Sequence, residues 1–427
     1  MLMAPTLDKF GATRQATVAS LGSIGDLLPL LAVGKALENS GVDVTVAANP
    51  IYRESIESQG LAFRPLGEAH DPTDFRRLED ISDASSFVQH VNFTQLNRLF
   101  DELLAMSHDA DVIVANYLVI PAHLVAEKLG IPFVACALSP SHLMPRNRAL
   151  TGFETQSHRT PAHWQVALAE LRKRARLARK IFPYSAILDT SQTLLGLFPH
   201  FLLRSLATQY SHLQVTGYPR LQGRNGHADH ERIREFCDER TVVFSFGSYV
   251  DRSNARYFYE ESVAACRSLK LKCLYLSRHV EATAAPSSSD ADVLLLPFVD
   301  HEQVFAHVEL VVHHAGLGTL MSACRHLRPM VCVPFILDQP YHAARMAELI
   351  GCAVLPATRF NHETIAAAIV WSMARSKDMS NKLAILRSAE ADDEETASLI
   401  ASKIKQASRS EMSKTQNNLK AESSSEA

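Results

Sequence analysis

No pair of cysteines in this chain has the C-x-x-C spacing. Its seven cysteines (Cys136, Cys237, Cys266, Cys273, Cys324, Cys332 and Cys352) are odd in number and scattered. That fits reduced thiols better than a disulfide framework or a zinc site. No window approaches the ~18 uncharged apolar residues that a spanning helix needs. The first residues, MLMAPTLDKFGATRQ, lack the apolar core of a secretory signal. An excess of positive charge is missing too: the formal net charge is −3, which argues against a nucleic-acid partner. The 19 histidines include no H-E-x-x-H. A soluble cytoplasmic protein without a resident metal is the expectation.

What is present is an ordinary globular balance, 47% hydrophobic and 21% charged, over 427 residues. That length exceeds the ~250–300 residues over which one core keeps growing, so two domains are expected. Strand-like apolar runs alternate with helical spacing twice over. QATVASL, VDVTVAAN, DVIVANYL and PFVACAL fall in the first half; TVVFSFGS, KCLYLS, DVLLLPFV, LVVHHAG and MVCVPF fall in the second. This alternation predicts an α/β protein of two doubly wound, Rossmann-like domains facing across a cleft. The expected boundaries are 1–222 for the first domain, 223–239 for a linker, 240–407 for the second domain and 408–427 for a disordered tail. The last helix of the second domain is allowed to pack back on the first. The long connections 72–87 and 139–164 have the character of binding loops.

The segment VVHHAGLGTL (311–320) places two histidines where a buried strand meets a glycine-rich helix start. The unpaired N–H groups and positive dipole end of such a helix suit a phosphate. Gly316 and Gly318 would let a diphosphate approach the backbone, with Thr319 adding a hydroxyl and His314 an imidazole donor that is positive if its pKa is raised. A tight turn with glycines for geometry alone would read the same way. Downstream, Asp338–Gln339 opens another helix and could hold vicinal hydroxyls. Upstream, Phe298, Val299 and His301 follow a strand and could receive a base. Gly247–Ser248 ends the first strand of this domain.

The block from Phe298 to Leu349 resembles the donor-binding signature of the family-one glycosyltransferases of the GT-B fold. It supplies an aromatic residue (Phe298), His301, the H-x-G-x-G-T run (His314, Gly316, Gly318, Thr319), Pro334 and the D-Q pair (Asp338, Gln339). The resemblance implies a base near Phe298, phosphates at His314 and Leu317–Thr319, sugar hydroxyls at Asp338 and Gln339, and a diphosphate contact at Ser248. Three positions depart from the pattern: Ala315, Asp300 and Arg328 stand where glycine, proline and glycine are usual. The run from GSIGD through IYRESIESQGLAFRPLG is similar, within that family, to bacterial rhamnolipid rhamnosyltransferases and sterol glucosyltransferases.

In the first half, GSIGD follows a strand and opens a helix. Its turn is Gly22, Ser23 and Gly25. Asp26 is suited either to capping that helix or to taking a proton from an attacking hydroxyl. The resemblance favours the base, because the family carries His or Asp in this turn. Where the base is His, an aspartate usually orients it; Asn116 stands at the matching strand end here. Residues 161–182 form a basic amphipathic stretch with two readings, a core-packed helix or a peripheral membrane contact. Asp109–Asp111 and Asp290–Asp292 precede strands and make poor metal sites.

These readings together imply an inverting, metal-independent hexosyltransferase that takes a UDP- or dTDP-sugar and a hydrophobic hydroxylated acceptor. A nucleotide-sugar 2-epimerase of the same fold and a non-catalytic nucleotide- or lipid-binding subunit are the alternatives.

Overall fold

The computed structural model of the chain describes residues 13–69, 93–143, 162–178, 193–203, 212–221, 230–247, 254–277, 280, 291–297 and 299–425. The first domain contains strands β1 (Gln15–Ser20), β2 (Asp43–Ala48), β3 (Ala62–Pro65), β4 (Val112–Asn116), β5 (Phe133–Ala137), β6 (Thr193–Gly196) and β7 (Leu213–Val215). Its helices are α1 (Ile24–Asn39), α2 (Arg53–Glu57), α3 (Leu96–Met106), α4 (Ala122–Leu129) and α5 (Ala162–Arg174). The second domain follows with α6 (His230–Phe236), β8 (Thr241–Ser245), α7 (Ala255–Leu269), β9 (Lys272–Leu276), β10 (Val293–Leu296), α8 (His301–Phe305), β11 (Leu310–His313) and α9 (Leu317–Arg325). It ends with β12 (Met330–Cys332), α10 (Gln339–Ile350), β13 (Ala353–Val354), α11 (His362–Met373), α12 (Ser376–Ser388) and α13 (Asp393–Ser425).

The two sheets are wholly parallel, in the orders β3-β2-β1-β4-β5-β6-β7 and β10-β9-β8-β11-β12-β13. Helices cover both faces of each sheet, so the central strands bury every side chain and read as unbroken apolar runs: VIVAN and TVVFS have no exposed position. Strand order reverses between β1 and β4 in the first sheet and between β8 and β11 in the second. In open α/β sheets the crevice beyond the carboxyl ends at such a reversal is where ligands bind. The GSIGD turn follows β1, and the paired histidines close β11.

The boundaries differ in two places from those the composition suggests. Residues 230–236, inside the expected linker, form α6, and its Ile233 is fully buried. Helix α13 runs to Ser425, through the segment expected to be a disordered tail. Ahead of that segment, α13 lays Ile400, Ala401, Ile404 and Ala407 into the core of the first domain, beside Val18, Leu30 and Val112.

Candidate active site

A cleft of about 320 Å³ lies between the two domains, lined from one side by Ser23, Gly25, Asp26, Tyr117 and His142 and from the other by His314, Thr319, Asp338 and Gln339.

On the first side, Gly22 takes a positive φ of 109°, which turns the chain sharply out of β1. Ser23 is then the N-cap of α1, and Asp26 closes a capping box with it. Asp26 Oδ2 accepts hydrogen bonds from Ser23 N at 2.8 Å and Ser23 Oγ at 2.9 Å. Capping and a position on the cleft therefore coexist in one carboxyl group. Burial, and in smaller part the charge of Asp338 across the cleft, push the Asp26 pKa up to about 6 against the pull of the Ser23 bonds. Pro29 offers no N–H to the carbonyl of Gly25, a residue that also lines the cleft.

Asn116 does not orient Asp26. Fully buried, it donates through Nδ2 to Ser20 Oγ at 3.2 Å and Leu21 O at 3.0 Å, bracing the turn from beneath.

On the second side, β11 delivers His313 and His314 to the start of α9. Gly316 is the N-cap and has no side chain to spend on the first N–H groups, so those of Leu317, Gly318 and Thr319 remain for a ligand. The His314 ring fits between two glycines: a Cβ at Gly316 would lie 2.2 Å from its Nε2, and one at Gly247 would lie 2.7 Å from its Cε1. Both glycines therefore serve the imidazole as well as any diphosphate. A Cβ at Gly318 would approach Tyr218 Oη to 3.1 Å.

His314 Nδ1 lies 3.2 Å from the carbonyl oxygen of Ser245, which can only accept, so this nitrogen carries the proton. The condition for a positive ring, a raised pKa, is not met without a ligand. Burial pushes the ring down to about 4, and the nearby His342 adds to that, against the Ser245 bond and the charge of Asp338. Without a ligand the imidazole is neutral at pH 7.

Gln339 Oε1 is committed to its own loop, accepting from Phe335 N at 2.9 Å and Ile336 N at 3.3 Å. The Nε2 group is what remains for a sugar hydroxyl. Asp338 is the N-cap of α10 but makes no side-chain capping bond, and its carboxylate lines the cleft. Val299 lines the cleft as well. His301 stacks on Phe305 at 4.8 Å between ring centres, and its Nε2 lies 3.0 Å from Ser245 Oγ. Asp300, in the place of a proline, caps α8 by accepting from Glu302 N at 3.1 Å. Phe298 and Ser248 lie outside the described residues.

Several cleft residues carry no signal that singles them out in the sequence. His142 and Tyr117 pack ring to ring at 4.1 Å, and His142 Nδ1 is buried without a hydrogen-bond partner among the described residues. Burial holds the pKa of His142 down at about 4. Glu302 joins Arg325 at 2.6 Å, His326 at 2.9 Å and Arg220 at 3.5 Å in an ion network on the cleft wall. Burial raises the Glu302 carboxyl, but His326 and the two guanidiniums more than offset it and hold the pKa at about 2.

Two other motifs settle away from the site. Helix α5 buries Trp164, Leu168 and Leu171 in the core, so its apolar face is not open to a membrane surface. Asp111 accepts from Arg14 N at 2.7 Å and Gln15 N at 2.9 Å, pinning the amino end of β1.

Two facing doubly wound domains, with a glycine-rich helix start opposite a carboxyl group across the cleft, have the fold of a GT-B glycosyltransferase. The glycosyltransferase family 28 N-terminal domain matches residues 16–144 and the family 28 C-terminal domain matches residues 261–404. This chain is a glycosyltransferase that carries both domains of that family.

Among curated relatives, the vancomycin aglycone glucosyltransferase of Amycolatopsis orientalis is 27% identical over 79% of this chain and 84% of its own length. The sterol 3-beta-glucosyltransferase of Candida albicans is 24% identical over 78% of this chain, which spans only 24% of that larger protein. Among solved structures, the glycotransferase of kitacinnamycin superposes with a TM-score of 0.71 at 19% identity, covering 92% of this chain and 99% of its own. VinC in complex with dTDP gives 0.67 at 16% identity, with the same coverages. The motif resemblance is met at the level of the GT-B glycosyltransferase; the matching domains carry the family 28 description, and the likeness extends to sterol and antibiotic glucosyltransferases.

Proposed function

We propose that this enzyme transfers a hexose from a UDP- or dTDP-sugar to a hydroxyl of a hydrophobic acceptor, inverting the anomeric centre without a metal ion. One observation carries the reading: Asp26 and the open N–H groups at the start of α9 line the same cleft from opposite domains. An acceptor hydroxyl beside Asp26 attacks the anomeric carbon while its proton passes to the carboxylate. The diphosphate leaves on the opposite face, toward the Leu317–Thr319 amides, the positive end of α9 and His314. Preorganised donors of this kind are often the largest catalytic term, each worth on the order of 10²–10³ in rate. Asp338 and the Gln339 amide would hold the sugar.

The hydrophobic acceptor is supported by the cleft's lining, which includes Ile24, Leu28, Ile51 and Leu337, with Ile51 44% and Leu337 38% exposed. The sterol named for one relative points the same way. A thymidine donor agrees with the dTDP held by VinC. The resemblance to family one and its rhamnolipid branch keeps rhamnose beside glucose as the sugar.

The test incubates UDP-glucose, dTDP-glucose and dTDP-rhamnose with a panel of sterols, hydroxylated fatty acids and polyketide alcohols, with and without EDTA. Acceptor-dependent, EDTA-insensitive release of nucleotide with an inverted anomeric proton by NMR is expected, and Asp26→Asn abolishes it while nucleotide binding stays within a few fold. An epimer formed from donor alone would replace transfer by epimerisation. Tight nucleotide binding with no turnover on any acceptor would favour a binding subunit.

A further inference from the structure

Ala315 is the residue at the centre of the phosphate corner, and its φ is +64°. A side chain in this left-handed region costs roughly 1–2 kcal/mol, and such strain persists only where the surroundings over-determine it. Here they do. The Ala315 N–H donates to His313 Nδ1 at 3.1 Å, and the Ala315 carbonyl lies 3.0 Å from His342 Nδ1. A carbonyl only accepts, so His342 Nδ1 carries the proton, and in the neutral ring Nε2 is an acceptor. That Nε2 lies 2.9 Å from Ser139 Oγ.

Ser139 belongs to the first domain, just beyond β5, and His342 to α10 of the second; they stand 203 residues apart in the chain. Ser139, His342 and Ala315 are all fully buried. The same first turn of α10 carries Asp338, whose Oδ2 lies 3.8 Å from His342 Nδ1.

We propose that His342 is a positioning residue: it holds the strained Ala315 peptide in the form that aims the α9 amides at a diphosphate, and it is itself held by Ser139, so the donor site is completed only when the first domain is in place. The bond path is continuous. The Ser139 hydroxyl fixes the His342 ring, the ring fixes the Ala315 carbonyl, and that peptide leads directly into Gly316 and the open N–H groups. This rests on the reading of the corner as a diphosphate site.

The experiment titrates UDP and dTDP calorimetrically into the wild type, His342→Ala, Ser139→Ala and the double variant His342→Ala/Ala315→Gly, with thermal melts as a check on folding. Loss of one buried hydrogen bond predicts roughly tenfold weaker nucleotide binding for His342→Ala. Glycine takes a positive φ without penalty, so Ala315→Gly restores most of that affinity in the double variant. A merely structural histidine would not be rescued in this way. Ser139→Ala weakens binding in the same direction by about threefold or more, and it serves as the reading should His342→Ala fail to fold. Wild-type affinity in either single variant, or a double variant no tighter than His342→Ala, would overturn the proposal. A wild type that binds neither nucleotide would overturn the diphosphate reading itself, and the proposal with it.

Discussion

A methyl group at Gly22 would stand 2.5 Å from Asp26 Oδ2 and 2.8 Å from Leu118 Cδ1, and φ there is already +109°. Gly22→Ala therefore displaces the carboxyl group without touching the second domain. Gly316→Ala does the converse, since its Cβ would fall 2.2 Å from His314 Nε2. We expect Gly22→Ala to lower the transfer rate at least ~100-fold with nucleotide affinity retained, and Gly316→Ala to weaken nucleotide binding at least ~10-fold. Paired rate and calorimetric measurements check the split; equal effects of both changes on nucleotide affinity would refute it.

Asp26 and His314 give opposite pH signs. Asp26 must be ionised to take a proton, and its pKa is raised to about 6, burial being the main cause. Transfer should therefore fall as pH drops through about 6, measured as kcat/KM against pH. His314 starts neutral, with its pKa near 4, and a diphosphate arriving beside it favours the charged ring. Nucleotide binding should then take up a proton above pH 4 and weaken as pH rises through the raised pKa of the bound ring. Titrations in buffers of different ionisation enthalpy read this directly, and a proton count of zero would leave the phosphate to the α9 amides alone.

At the scale of elements, contiguous signals were readable from sequence and distant ones were not. The corner from His313 to Thr319 and the turn from Gly22 to Asp26 each lie within a few residues, so strand, turn and helix start could be placed together. His342 could not be assigned its contact, because its two partners lie 27 and 203 residues away. The neutral state of His314 was equally hidden, because burial by the folded chain sets it. Helix α5 shows how an amphipathic pattern leaves the destination of its face open. Arg172 belongs to the basic stretch 161–182, yet it is buried and forms a bidentate pair with Glu127 of α4, both bonds at 2.8 Å. The Glu127 side chain is 30% exposed and can return to water, so the loss is that of the charge-assisted hydrogen bonds, about 1–3 kcal/mol. We expect Arg172→Ala to lower the urea midpoint accordingly, whereas the neighbouring exposed Lys173→Ala changes it little. Comparable midpoints for the two would mean that the pair does not anchor α5.

Over the whole molecule, the chain crosses between domains more than once, and the crossings set how it unfolds. Arg220, just past β7, reaches Glu302 at 3.5 Å and Asp393 at 3.3 Å. From α10, Tyr341 Oη donates to Leu202 O at 2.6 Å and Arg345 Nε to Phe201 O at 3.0 Å. Helix α13 then returns to bury Ile400 and Ile404 in the first domain. Truncating a buried isoleucine costs about 2–5 kcal/mol, so Ile400→Ala and Ile404→Ala should each destabilise the first domain by that order. The two tryptophans report on the halves separately: Trp164 is buried in the first domain, and Trp371 stands 39% exposed on α11 of the second. With Trp371→Phe, fluorescence follows the first domain alone; with Trp164→Phe, it follows the second. If the crossings couple the domains, Ile400→Ala shifts both transitions to lower urea by the same amount, although no atom of the second-domain core has changed. Should the Trp371 signal keep its midpoint while the Trp164 signal moves, the halves unfold independently, and the bonds across the cleft add orientation without adding cooperativity.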